Sequence, residues 1–270
     1  MFNHGRSPPA FLLTAAFVTC AVALQSAAAV EPRSVEVEGT QFKVTLTDGH
    51  VLRSSELVGA TLTVATSSGP LRLRIDTVER DPDAKNPPVW LHSFSTEAPD
   101  GSFHNLCEAG PDGRRQGFPL AFRPRPGGAL EPAEPGSFEL VCTGRARGKC
   151  VRFGYLPWTS DAMREVYNAC VRVVRADYCG ECEGTTRTGT LIDHYDAVDI
   201  EEPGHDPRFE FEAGWTASGA VCVRHVRIKE NISLERLAAS CPRLREHLGE
   251  SCTEKTARAL GATVFVRSLP

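Results

Sequence analysis

After its first two dozen residues the sequence has no extended apolar run. Residues 11–24 form the one candidate, and at 14 residues it is short of the roughly 20 that a bilayer-spanning helix needs. No membrane span is therefore expected in the mature chain. Charge bias is also lacking: 30 Lys and Arg stand against 34 Asp and Glu, a net charge of −4. The basic residues are scattered, and a cluster such as Arg145-Ala146-Arg147-Gly148-Lys149 reads as a solvated loop, so no nucleic-acid partner is expected. There is no internal repeat and no Gly-x-Ser-x-Gly nucleophile elbow. Gly144-x3-Gly148-Lys149-Cys150 is one residue short of a phosphate-binding loop and lacks its Ser or Thr. Cys179-x2-Cys182 has no second Cys-x2-Cys or His-x3-His to complete a zinc site, His104-x2-Cys107 being a lone match. The residues call for no cofactor.

What is present begins with an export signal. His4 and Arg6 precede the apolar run, and Gln25-Ser26-Ala27-Ala28-Ala29 offers an Ala-x-Ala site, so residues 1–29 read as a signal peptide cleaved after Ala29. Acylation at Cys20 is discounted, because Phe17-Val18-Thr19 does not supply the small-residue pattern a lipoprotein requires. The mature chain is expected in the periplasm, at the cell surface or secreted. It keeps nine of the ten cysteines. In an oxidising compartment that number implies disulfides with one thiol left over.

The fold class expected is α+β: an N-terminal β-rich module, residues 30–98, followed by a disulfide-stapled α+β domain, residues 99–270. Residues 34–39, 42–47 and 71–75 alternate as half-buried strands do, with Asp48-Gly49 supplying a turn. Residues 108–136 are rich in Gly and Pro and read as a long surface loop. Residues 138–142 and 149–153 are expected to form a hairpin. The clearest helix spans residues 161–178, with Ser160 as N-cap and Gly180 as C-terminal cap. Met163, Val166, Tyr167, Cys170, Val171, Val174 and Tyr178 make its apolar face, and Arg164, Asn168, Arg172 and Arg175 its polar stripe. A hairpin over residues 209–224, a helix starting at Ser233, a short helix over 254–260 and a closing strand over 262–266 complete the chain.

Ala176-Asp177-Tyr178-Cys179, flanked by Val174-Arg175 and Gly180, resembles the signature of the bacterial ADYC domain family. Other pieces match in order: residues 150–158 (CVRFGYLPW), Asp193-His194-Tyr195-Asp196, Phe211-Glu212-Ala213-Gly214-Trp215 with residues 220–223, and Cys241-Pro242-Arg243-Leu244. The resemblance covers roughly residues 100–270. It implies bacterial origin and export and brings no activity with it. Where the family pattern leads us to expect an acidic residue and then Gly after Tyr-Cys-Gly, this chain has Glu181-Cys182, which makes Cys182 the expected unpaired thiol. The disulfide candidates are Cys107, Cys142, Cys150, Cys170, Cys179, Cys222, Cys241 and Cys252.

A redox role for Cys179 and Cys182 meets an electrostatic objection. Reactive thiolates sit at helix N-termini, whereas Cys179 follows a helix C-terminus among Asp177, Glu181 and Glu183. Cys170 and Cys179, about 13.5 Å apart along an intact helix, exceed disulfide reach. Cys241 and Cys252 are close enough in sequence to staple a helical hairpin. Asp193, His194, Asp196 and Asp199, with Glu201, Glu202 and His205 nearby, are a candidate metal or acid–base cluster, but their spacing does not match a calcium loop. Tyr155, Trp158 and Trp215 are candidates for a ligand surface. The leading functional expectation is a non-enzymatic extracytoplasmic binding or structural module with a protein or glycan ligand. A hydrolase or metal-assisted enzyme built on Asp193–Asp199 is the alternative, and thiol–disulfide chemistry at Cys179/Cys182 the third.

Overall fold

Alternation of inward apolar and outward polar residues builds the first strands, β1 (Pro32–Glu38) and β2 (Gln41–Leu46). Phe42 and Val44 of β2 are buried, and Gly39 takes the positive φ of 62° that the two-residue turn between the strands requires. Strand β3 (Val51–Arg53) completes an antiparallel sheet in the order β1-β2-β3. These elements come from a computed structural model that describes residues 31–84, 87–181 and 183–270. The expected signal peptide, Cys20 and Cys182 lie outside the described residues.

The largest sheet follows. Its strands are β4 (Thr61–Thr66), β5 (Gly69–Arg80), β6 (Trp90–Glu97), β7 (Phe103–Asn105) and β8 (Gly117–Leu120). A ribbon of β9 (Phe122–Pro124) and β10 (Leu130–Pro132) precedes its last strand, β11 (Glu139–Cys142). The order is β11-β8-β6-β5-β4, with β7 paired to β6. Residue 98, where the two expected modules meet, lies between β6 and β7 of this one sheet. Residues 108–136 are not the surface loop expected: all four residues of β8 are buried. Gly117-Phe118-Pro119-Leu120 is too short to stand out against its Gly- and Pro-rich flanks, yet Phe118 and Leu120 fill the core.

Helix α1 (Ala146–Arg152) replaces the second half of the hairpin expected over 138–153. Cys150 and Val151 are adjacent and both fully buried, which a helix on a core allows and an alternating strand does not. Gly148 permits this packing, because a Cβ there would lie 2.3 Å from the Cys142 carbonyl oxygen. Helix α2 (Asp161–Arg175) has the expected N-cap, the Ser160 hydroxyl accepting the Met163 N–H at 3.0 Å. It ends earlier than expected. Ala176, not Gly180, is the left-handed cap, at φ 51°, and the Asp177 N–H returns to the Arg172 carbonyl.

The stripe Arg164, Asn168, Arg172, Arg175 is not uniformly solvent-facing. Asn168 and Arg172 are buried. Asn168 gives its carbonyl to the Leu130 N–H and its amide to the Leu130 C=O, at 2.8 and 3.2 Å, docking β10 on the helix. The opposite face of α2 packs on an antiparallel sheet of β12 (Asp193–Asp196), β13 (Glu210–Thr216), β14 (Gly219–Val223) and β15 (Val264–Ser268), in the order β12-β15-β13-β14. Helices α3 (Leu234–Ser240) and α4 (Glu254–Ala259) flank it.

Among the described residues four disulfides staple these layers: Cys107–Cys142, Cys150–Cys170, Cys179–Cys241 and Cys222–Cys252. Their Cα separations, 5.4 to 5.9 Å, are ordinary for such bonds. The expected Cys241–Cys252 staple is replaced by two longer links. Cys241 is drawn to the end of the signature turn, and Cys252 lies under β14, where Cys222 points. With loops of 20 to 62 residues, each bond stabilises by about 3–4 kcal/mol through the unfolded chain's lost entropy.

Candidate functional site

The signature residues form a buried junction. Ala176 turns the chain out of α2, and Asp177, fully buried, fixes the turn that follows. Its Oδ1 accepts the N–H groups of Gly180 and Glu181 at 3.0 and 3.1 Å, while Oδ2 takes the Arg172 guanidinium. Gly180 runs so close to the β13–β14 turn that a Cβ would lie 2.1 Å from the Ser218 carbonyl oxygen. Tyr178 stacks on Trp215 with ring centroids 5.0 Å apart. Its hydroxyl donates to Glu212 Oε1 at 2.8 Å and accepts the Arg227 N–H at 2.9 Å. Glu212 and Arg227 form a bidentate pair at 3.0 and 3.1 Å with both side chains inaccessible, and Arg227 also donates to the Val173 carbonyl at 2.8 Å. Burial, aided by Glu212, pushes the Tyr178 hydroxyl well above its ordinary pKa. Cys179 closes the junction through its disulfide to Cys241. Arg243 gathers the carbonyls of Tyr178, Cys179 and Ser218 at 2.9, 3.2 and 2.9 Å, and that of Ala220.

This geometry explains why separated motifs occur together. Phe211–Trp215 supplies the carboxylate and ring that receive Tyr178, and Cys241-Pro242-Arg243-Leu244 supplies the bridge and the carbonyl clamp. The remaining motifs are joined likewise, through Tyr155 and Asp196.

Asp196 is the centre of a loop. Its Oδ1 accepts the N–H groups of Val198 and Ile200 at 2.7 and 3.2 Å, and Oδ2 those of Glu201 and the Tyr155 hydroxyl, both at 2.8 Å. Four donors saturate it. Asp193 is three residues earlier on β12 and so projects from the opposite face. It is tied to the Gly204 N–H at 2.9 Å and to Arg267 at 3.3 Å. The ring of His194 rests on Phe153 at 4.3 Å, and burial lowers its pKa. Asp199 sits apart with a left-handed φ of 61°. The structure thus does not bring Asp193, His194, Asp196 and Asp199 together. Among the described residues no group of three or more His, Cys, Asp or Glu is placed to hold a metal ion.

Of the aromatic candidates, Tyr155 and Trp215 are fully buried core residues. Trp158 is half-buried and borders a shallow cleft of about 230 Å³ with Phe122 and Pro132. A larger cleft, about 370 Å³, opens between β11, α1 and α2. It is lined by Arg145, Arg147, Arg172 and Arg175, against the single carboxylate of Glu139, over Val141 and Val171. Arg147 pairs with Glu139, and burial raises the Glu139 pKa although Arg147 opposes it. The sequence offered no sign of this cleft beyond the cluster Arg145-Ala146-Arg147, which reads as loop but lies at the start of α1.

Fold and junction together define a disulfide-stapled α+β module whose signature residues are its packing centre. The ADYC domain family model matches residues 54–229, and the chain belongs to that family. The matched span starts within the β-rich region, earlier than the residues that carried the resemblance, and stops before the Cys241 motif. Among curated proteins and among solved structures, nothing matches the chain. No helix among the described residues is long and apolar enough to cross a membrane.

Proposed function

We propose that the chain is a non-enzymatic extracytoplasmic binding or structural module, exported by its signal peptide, with Cys182 as its one free thiol and an extracellular protein or glycan as its ligand. The observation that carries this reading is the commitment of the motif side chains to one another. Asp177, Asp196 and Glu212 each spend both carboxylate oxygens on internal donors. A general acid or base must reach a substrate proton, and these groups face the fold instead.

The hydrolase or metal-assisted alternative makes a different demand on Asp193 and Asp196. Protein purified without chelator, analysed for metals by mass spectrometry, is expected to be folded and to hold no stoichiometric divalent ion. A one-to-one metal that is lost in Asp196→Asn would overturn the proposal.

A further inference from the structure

We propose that the cleft between β11, α1 and α2 binds the carboxylate of a small organic acid, either free or as the acidic sugar unit of a glycan. The inference deepens the binding-module reading and rests on it.

Charge is the first argument. The chain carries a net −4, yet four arginines line this cleft, of which Arg145, Arg147 and Arg172 are paired with Glu108, Glu139 and Asp177. Arg172 is fixed at the back by Asp177 and by the carbonyls of Ala217 and Gly127, its charge balanced by Asp177, so it is not a contacting group. Arg145 and Arg147 are the contacting groups. Arg145 has an ion pair with Glu108 in which the side chains are 72% and 80% exposed. Such a pair holds a side chain weakly, and Arg145 is free to turn onto a ligand. Arg147 is only partly used: it meets Glu139 through Nη1 and reaches the Gly128 carbonyl at 3.4 Å through Nη2.

Glu139 is the second argument. It places a carboxylate on Arg147 within the cleft, so the position already accepts a planar monoanion, the shape a guanidinium fork matches. That internal ion pair is imperfect, since Oε2 is buried without a hydrogen-bond partner, a costly state for a carboxylate oxygen. A ligand carboxylate engaging Arg147 and Arg145 competes with Glu139 for the same donors. Shape is the third argument. A volume of about 370 Å³ falls in the range of small-molecule sites, and Val141 and Val171 supply an apolar floor for the body of the acid.

The test is titration of the mature, oxidised protein with D-galacturonate, hexanoate and galactose, followed by NMR or calorimetry. Galacturonate or hexanoate is expected to bind and galactose not; whichever acid binds more tightly identifies the acidic sugar or the free acid as the source. Arg145→Gln and Arg147→Gln should each weaken binding about tenfold. Glu139→Gln, which frees Arg147, should tighten it severalfold. Arg145 is exposed, so its variant keeps the test valid even where Arg147→Gln lowers stability. Failure of both acids to bind wild type and Glu139→Gln, or binding indifferent to both arginine variants, overturns the inference. Conversion of a bound acid to product would support the site while overturning the non-enzymatic reading.

Discussion

Replacing Arg227 by Leu removes the positive half of the buried pair beneath the signature tyrosine. Glu212 then remains inaccessible without its cationic partner, keeping only the Tyr178 hydroxyl as donor among its contacts described above, and the Val173 carbonyl keeps only the Ala176 N–H. Breaking one side of a buried ion pair costs about 3–5 kcal/mol. The retained tyrosine hydrogen bond limits the loss, and we expect about 4 kcal/mol. Removing both charges, as Glu212→Leu/Arg227→Leu, eliminates the stranded carboxylate. What remains is a Tyr178 hydroxyl that has lost its acceptor but still accepts the backbone N–H of residue 227, and a Val173 carbonyl left with the Ala176 N–H, offset by added apolar burial, for a net cost of about 1–2 kcal/mol. The double variant should therefore be more stable than the Arg227 single variant by about 2 kcal/mol or more. Urea unfolding with the disulfides intact measures this, provided the m-values agree across the series. A loss below about 1 kcal/mol for Arg227→Leu, or additive losses in the double variant, would refute the claim that the pair is a closed, desolvated unit.

Three further outcomes follow from the same structure. All four tyrosines, Tyr155, Tyr167, Tyr178 and Tyr195, have pKa values raised by burial; the unfolded chain ionises first, so stability should fall as pH rises above about 10, and absorbance near 295 nm should show phenolate appearing only with unfolding. Burial lowers the His92 pKa to about 4 and also lowers that of His194. Below about pH 6.5 the unfolded chain binds protons that the folded one refuses, so stability should decline between pH 6.5 and 4, and the decline seen in urea titrations should shrink in His92→Gln. Gly180→Ala forces a Cβ into the Ser218 carbonyl at a positive φ of 78° and should cost about 2 kcal/mol or more, whereas Gly189→Ala, with open space around it, should cost about 1 kcal/mol.

Much of the fold was legible because it is locally written. Ser160 and the 3–4 spacing of apolar residues announce α2, and alternation announces β2 and β5. What stayed hidden depends on partners far away in the chain. Asn168 and Arg172 read as polar surface because nothing local reveals that Leu130, Gly127 and Ala217 will satisfy them in the interior. Gly117–Leu120 lacks the length to show a period. The C-terminus of α2 moved because Ala176 accepts a left-handed conformation usually reserved for glycine, with Asp177 bracing the turn. The disulfide pairing followed spatial neighbours, so proximity in sequence misassigned Cys241 and Cys252. For the acidic cluster, a spacing of three along a strand put Asp193 and Asp196 on opposite faces. The arginine cleft needed three elements to exist at all.

The cysteine of the signature, Cys179, is a structural half-cystine bonded to Cys241. Peptide mapping of the unreduced protein, with thiols alkylated before unfolding and again after, is the decisive measurement. The expected map is Cys107–Cys142, Cys150–Cys170, Cys179–Cys241 and Cys222–Cys252, with a single alkylated thiol at Cys182. A Cys179–Cys182 linkage, with Cys241 left as a thiol, would contradict it and move the signature from packing to redox chemistry.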